Sequence, residues 1–265
     1  MITVKEQTVK VWGDQIQSRI KMAGEGSPLV FLHNAYGLVW DPFLDSLAQH
    51  YTVYAPEHPG TTPGNSEAIR FLDNLWDLVL YYYELFDQLG LQAPAVVGHS
   101  FGGMVAAEVA ATNPDRVSHL VLISPIGLWR DDTPVKNWMS MAPEAVARAV
   151  FYDPEGPLAT RFLSVPDDPQ AQVEVQIQRI WTLGCTGKFV WPIPDKGLKK
   201  RLHRIHAPTL IIWGQQDGLV SPVYAREFAH YIAHARVEIL DKAAHMPHLE
   251  QLTTVSHLIR DFLQR

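Results

Sequence analysis

AVVGHSFGGMVAAEVAAT, residues 95–112, is the stretch from which the fold of this chain is read. It opens as a short apolar run, passes through Gly98-His99-Ser100-Phe101-Gly102, and continues in small residues until Asn113-Pro114 closes it. An apolar run bounded by glycine predicts a buried strand, and the alanine-rich segment behind it predicts a helix. The pattern G-x-S-x-G therefore falls on a sharp strand-to-helix turn. Such a turn forces the serine into a strained backbone conformation, and side chains at the flanking glycine positions would collide with neighbouring backbone. Gly103, Ala106, Ala107 and Ala110 are small enough to let the helix lie close on a sheet. The helix N-terminus also places positive potential beside the serine hydroxyl, where an oxyanion would form. A glycine-rich turn with an incidental serine is the plainer alternative; the strand before it and the helix after it favour the chemical reading.

The same alternation extends in both directions. Residues 2–12 and 15–22 alternate around Gly13-Asp14 and predict an opening antiparallel hairpin. PLVFLH (28–33) and YTVYAP (51–56) read as buried strands, separated by a helix over 41–49 that Asp41-Pro42 opens. Residues 71–89 are periodic, with Leu72, Leu75, Trp76, Val79, Leu80, Tyr83 and Phe86 on one expected helical face and Gly90 at the C-terminal cap. VSHLVLIS (117–124), TLIIWG (209–214) and ARVEIL (235–240) complete eight strands, with helices expected over 222–233 and 248–263. Short apolar strands alternating with amphipathic helices predict an α/β fold, a mostly parallel eight-stranded sheet flanked by helices. Ligands bind such sheets at the carboxyl ends of the strands. Residues 127–200 break the pattern: no strand alternates there, helices are expected over 143–152 and 169–182, and the segment is too long for an ordinary loop. It is expected to be a helical cap inserted into a core formed by 1–126 and 201–265.

Composition narrows the functional classes. The chain has 265 residues, 47% hydrophobic and 19% charged, enough to bury a sizeable core. A formal net charge of −6 gives no electrostatic case for nucleic acid or an anionic membrane surface. Cys185 is the single cysteine, so no intrachain disulfide can form, which fits a reducing compartment. The start, MITVKEQTVKVWG, lacks the basic and apolar regions of a signal peptide, and no apolar run is long enough to span a bilayer. A cytoplasmic protein is expected, without nucleic-acid or membrane partners.

A serine hydroxyl is a weak nucleophile and needs an adjacent base. His245, in DKAAHMPHLEQ, directly follows the last strand and belongs over the carboxyl ends of the sheet. His248 is its close competitor, but falls at the start of the final helix, where exposure is expected. Asp217, in WGQQDGLVSP after the seventh strand, is the candidate to orient the histidine; Asp131 and Asp132, after the sixth strand, are rivals. The backbone N–H of Phe101 is one expected oxyanion donor, and that of Ala35, in the loop His33-Asn34-Ala35-Tyr36-Gly37, the other. Asn34 and Tyr36 are expected to line the site. His33 is expected to organise its loop, His99 to point away from Ser100 and support the turn, and Glu250 to anchor the histidine loop or final helix. His203 and His206 have no third ligand at suitable spacing, and neither a phosphate-loop lysine motif nor a dinucleotide fingerprint follows any strand. No metal and no cofactor are expected.

Five segments together resemble the α/β-hydrolase superfamily: PLVFLHNAYG, APEHPG, VVGHSFGGMVAAEVAATNPDRVSHLVLIS, PTLIIWGQQDGLVSP and AAHMPHLEQ. The resemblance spans nearly the whole chain outside 127–200. It implies a catalytic triad in the chain order serine, acid, histidine, which falls on Ser100, Asp217 and His245. Similar families have His-Gly at the third-strand loop, where this chain has His33-Asn34. A serine at position 100 argues against dehalogenase or epoxide hydrolase chemistry, which resembling families run with aspartate. Carbon–carbon bond hydrolases of aromatic degradation often carry tryptophan after the catalytic histidine; here it is Met246.

The leading expectation is a serine hydrolase that cleaves a carboxylic ester or lactone through an acyl-enzyme. Trp138, Trp181, Phe189 and Trp191, with Trp129 nearby, suggest an apolar pocket under the cap for a small hydrophobic substrate. Two alternatives stand beside it. One is another reaction of the same fold, such as carbon–carbon hydrolysis of a diketone-type substrate. The other is a ligand-binding protein with slow turnover.

Overall fold

The computed structural model describes residues 2–192 and 195–264. The chain runs β1 (Lys5–Val11), β2 (Ile16–Ala23), β3 (Pro28–Leu32), α1 (Pro42–Ala48), β4 (Thr52–Pro56), α2 (Leu75–Gln88), β5 (Ala95–His99), α3 (Phe101–Thr112) and β6 (His119–Ile123). After β6 come α4 (Pro143–Val150), α5 (Pro157–Leu163) and α6 (Pro169–Val190). The chain then returns to β7 (Thr209–Gly214), α7 (Val223–Tyr231), β8 (Ala235–Leu240), α8 (Pro247–Glu250) and α9 (Leu252–Leu263). The strands form one eight-stranded sheet in the order β1-β2-β4-β3-β5-β6-β7-β8. Pairing is antiparallel between β1 and β2 and between β2 and β4, and parallel from β4 through to β8.

Strand side chains point alternately to the two faces, so each face receives every second residue. Val30, Leu32, Val96, Leu120, Leu122, Ile211 and Trp213 join the cluster beneath α2, α3 and α7. Leu29, Phe31, Val97, Val121, Ile123, Leu210 and Ile212 face the other way, against Phe43 and Leu47 of α1 and Val255 and Ile259 of α9. Both faces of the central strands are covered, which is why their sequences read as continuous apolar runs.

Three helical expectations need correction. The segment expected as one helix over 71–89 is a short tight turn at 66–71 followed by α2, which starts only at Leu75. Asn74 caps it, accepting from the Trp76 and Asp77 amides, which fixes where the helix begins. Leu78, Val79, Tyr81, Tyr82, Leu85 and Phe86 face inward, leaving Trp76 and Leu80 exposed. The final helix is broken at Gln251 into α8 and α9. Within 127–200, α6 runs beyond 182 to Val190, and α5 is an element with no sequence-based expectation. Buried residues of 127–200, including Val146, Ala147, Ala159 and Phe189, join the cluster on the α2 and α3 face of the sheet.

Candidate active site

β5 enters the turn and α3 leaves it, with Ser100 at the pivot in a left-handed conformation, φ 55° and ψ −113°. A non-glycine residue there stores on the order of 1–3 kcal/mol of strain, so its surroundings must hold it. They do: its amide donates to Ile123 O at 2.9 Å, and its carbonyl accepts from Met104 and Ile126. Glycine is required on either side. A Cβ on Gly98 would lie 2.4 Å from Gly102 O, and one on Gly102 would lie 2.1 Å from Leu32 O.

The long-range partners meet at this turn. Ser100 Oγ lies 2.8 Å from His245 Nε2, and His245 Nδ1 lies 2.8 Å from Asp217 Oδ2. With Asp217 ionised, Nδ1–H donates to the carboxylate, Nε2 is left as acceptor, and the serine hydroxyl donates to it. All three residues are buried. Each loop follows the carboxyl end of its strand, β5, β7 or β8, as a parallel sheet requires.

Asp217 is held by four donors. Oδ1 accepts from the Leu219 and Val220 amides, each at 2.9 Å, and Oδ2 accepts from Trp213 Nε1 at 2.9 Å and from His245. Trp213 lies in an apolar strand, near its carboxyl end, and nothing in its sequence context marks it as a partner of the acid. Asp131 and Asp132, the rival acids, are exposed; Asp132 pairs with Arg130, and Asp131 accepts from Trp129 Nε1.

The C-terminal end of α4 reaches into the same loops. Ala149 O accepts from Gly218 N at 2.9 Å, and Val150 O accepts from His245 N at 3.0 Å. Glu250 accepts from Tyr152 N at 2.6 Å with one oxygen and from Ala244 N at 2.7 Å with the other. Its carboxylate thus ties the histidine loop to the chain just after α4, and burial raises its pKa against the pull of these two amides.

Beneath the serine, His99 Nε2 donates to His245 O at 2.8 Å, so it turns away from Ser100 and braces the base loop. That tautomer leaves Nδ1 to accept from Asn34 Nδ2 at 3.4 Å. Asn34 Oδ1 accepts from Tyr36 N at 2.9 Å, closing a side-chain turn in the loop after β3. Among the described residues, the amides of Ala35 and Phe101 have no protein acceptor. His33 Nδ1 donates to Asn34 O at 2.7 Å, and its Nε2 accepts from His58 N at 3.0 Å. His58 in turn donates from Nε2 to His33 O at 2.8 Å and takes a hydrogen bond from the Tyr82 hydroxyl. His58, in APEHPG, carries no motif of its own and emerges as a loop anchor only from these contacts. Burial, aided by repulsion from His58, lowers the pKa of His33; burial, aided by His248 and His245, lowers that of His99; and burial lowers that of His58 to about 4.

His248 is not exposed as the sequence suggests. It is buried between Phe43 and His99, with ring centroids 5.1 and 4.4 Å away, and burial drops its pKa to about 3. It makes no bond to Ser100. His203 and His206 are exposed, and among the described residues no group of three or more His, Cys, Asp or Glu could hold a metal ion.

Two neighbouring spaces lie at the site. A narrow one of about 10 Å³ touches Ser100 and His245 and is lined by Ala35, Trp138, Val150 and Leu219 among others. A larger cavity of about 370 Å³ shares Asn34, Tyr36, Phe162 and Met246 with it. Of the aromatic residues expected at the pocket, Trp138 lines the space at Ser100. Trp181, Phe189 and Trp191 line neither space. Trp181 donates to Gly60 O and is partly exposed, Trp191 is 56% exposed, and Phe189 is buried 6.4 Å from the Phe101 ring. Among the described residues no helix is long and apolar enough to cross a membrane.

Residues 27–252 match the family model described as alpha/beta hydrolase fold. A pimeloyl-[acyl-carrier protein] methyl ester esterase of Aliivibrio salmonicida is 26% identical over 255 residues, covering 88% of this chain and 92% of that protein. An (E)-2-((N-methylformamido)methylene)succinate hydrolase of Acinetobacter baylyi is 23% identical, covering 91% and 92%. Among solved structures, a 2-hydroxy-6-oxo-6-phenylhexa-2,4-dienoate hydrolase from a Rhodococcus strain superposes with a TM-score of 0.76 at 20% identity, covering 100% of both chains. With its strand order, its strained serine turn and a family match across most of its length, the chain belongs to the alpha/beta hydrolase fold family of enzymes.

Proposed function

We propose that the protein is a serine-dependent carboxylic ester hydrolase acting through an acyl-enzyme, with Ser100 as nucleophile, His245 as general base and Asp217 orienting the imidazole. The observation that carries this reading is the unbroken relay of 2.8 Å contacts from Ser100 Oγ through His245 to Asp217. His245 Nε2 takes the hydroxyl proton as Oγ attacks the ester carbonyl. The oxyanion is held by the amides of Ala35 and Phe101, whose free N–H groups support that role. The imidazolium then protonates the leaving alcohol, and an ester to Ser100 remains. Water, deprotonated by the same nitrogen, attacks that ester and releases the acid.

Residues 127–200 act in this reading as a helical cap over a small hydrophobic substrate, with Trp138, Asn34 and Tyr36 beside the scissile bond. The methyl ester esterase relative, aligned over 88% of the chain, favours ester over carbon–carbon cleavage. A lactone is an ester and needs no different machinery. The test is turnover of a p-nitrophenyl ester by the Ser100→Ala variant. A loss of at least about a thousandfold in kcat is expected from removal of the nucleophile. Wild-type turnover by the variant rules the assignment out.

A further inference from the structure

The partly buried arginines of this chain are mostly paired: Arg19 with Glu57, Arg116 with Asp87, Arg130 with Glu227 and Arg201 with Glu108. Arg179 on α6, also partly buried, and Arg161 on α5, which is exposed, are different. Both line the larger cavity beside the Ser100 site, and among the described residues neither joins an ion pair. Arg179 spends Nη2 on two backbone carbonyls, Phe162 O at 2.7 Å and Ser164 O at 3.4 Å, and lies over the Phe162 ring. Its Nε and Nη1 have no protein acceptor among the described residues. Arg161 makes no side-chain hydrogen bond there, and its charge acts on Asp41.

Asp41 is the single carboxylate of the lining, and its Oδ1 is committed to the Phe43 and Leu44 amides. The histidines of the lining, His33, His99 and His248, are held neutral by burial. Two cations therefore face one anion in a protein of net charge −6. The half-buried Arg179 guanidinium, with free donors, is costly unless an anion completes it; Arg161 is exposed to water and adds a second positive charge, and the planar fork of each matches a carboxylate. The rest of the cavity is largely apolar, with Phe31, Val39, Phe151, Leu158 and Leu249 among its walls, and about 370 Å³ lies within the range of small-molecule sites.

We infer that the substrate is an ester bearing a carboxylate remote from the scissile bond, a half-ester of a dicarboxylic acid in the simplest case. Its apolar chain fills the larger cavity and its carboxylate rests on Arg161 and Arg179. The inference rests on the assignment of Ser100 as nucleophile, and the two are separable by experiment. Monomethyl adipate and methyl hexanoate are compared as substrates near neutral pH and low ionic strength. The wild type is expected to favour the half-ester in kcat/KM by about tenfold or more, the effect of one charge-assisted contact. Arg161→Gln is expected to lower that preference, mostly through KM, and added salt to weaken it.

Because Arg179 also supports the Phe162 and Ser164 carbonyls, its contribution is read in the intact protein. Adipate is expected to inhibit methyl hexanoate hydrolysis better than hexanoate does. A wild type without preference overturns the inference, as does an Arg161→Gln preference equal to wild type together with equal inhibition by the two acids. If Ser100→Ala still hydrolyses methyl hexanoate, it is the nucleophile assignment that fails.

Discussion

Glu250 gives the sharpest structural test outside the three residues of the relay. Its two oxygens each take one backbone amide, Tyr152 N at 2.6 Å and Ala244 N at 2.7 Å, and Ala244 immediately precedes His245. Glu250→Ala removes both bonds and leaves two amides without their acceptor. A hydrogen bond to a charged group contributes about 1.5–3 kcal/mol, and the site is not fully buried, so water recovers part of the loss. We expect a destabilisation of about 2–4 kcal/mol, which for a chain of this size lowers Tm on the order of 10 °C. The base loop also loses its tie to the end of α4. A displacement of His245 of about 1 Å costs up to roughly a hundredfold in rate, so kcat is expected to fall 10- to 100-fold with a small change in KM. Thermal unfolding and ester kinetics are measured together, with Glu67→Ala as the control. Glu67 pairs only with Arg70 at the surface, and its loss is expected to matter by less than about 1 kcal/mol. A Glu250→Ala protein with wild-type Tm and kcat would refute the clamp.

The Gly102→Ala variant is expected not to fold to the native state, since its Cβ would sit 2.1 Å from Leu32 O; a soluble variant with wild-type Tm contradicts the packing of α3 on β3. Acid stability follows from the buried histidines. His58 and His248 titrate in the folded protein near 4 and 3, below their unfolded value, so between there and about pH 6.5 the unfolded chain binds protons that the folded chain does not. Stability therefore falls as pH drops below about 6.5, by up to about 1.4 kcal/mol per pH unit for each such histidine. The raised carboxyls of Asp41, Glu108 and Glu250 act in the opposite sense, from the ordinary carboxylate pKa upward. His248 Nδ1 has no partner, so His248→Leu is expected to keep the fold and flatten the acid limb of a Tm-against-pH curve. An unchanged slope would show that this histidine is not neutral in the folded protein.

The strands were legible because burial on both faces writes itself as short apolar runs. The serine turn was legible because two glycines are forced by backbone contacts that no side chain can enter. Asp217 and His245 could be chosen because each lies just beyond a strand whose end the topology fixes. What stayed hidden is of another kind. Residues 75–86 are apolar almost all round, so periodicity gives a helix without its phase, and packing on the core decides which side faces in. His248 looks like a helix-start residue, but its ring is buried with contacts to Phe43 and His99 that its sequence context does not announce. Trp213, His58 and the carbonyls of Ala149 and Val150 serve the site through contacts fixed only once the loops are folded, and such contacts leave no local pattern. The aromatic residues of 127–200 show the same limit. Composition alone could not separate Trp138, which lines the space at Ser100, from Trp181 and Trp191, which do not.

The central claim is that Ser100 is an activated nucleophile, and a fluorophosphonate reads that property without knowledge of the substrate. Intact mass and peptide mapping after reaction are expected to give one adduct per chain, on the peptide carrying Ser100. The adduct should be absent from folded Ser100→Ala and form far more slowly in His245→Ala. A folded wild type that takes no label, or a Ser100→Ala variant labelled as fast as wild type, would contradict the account.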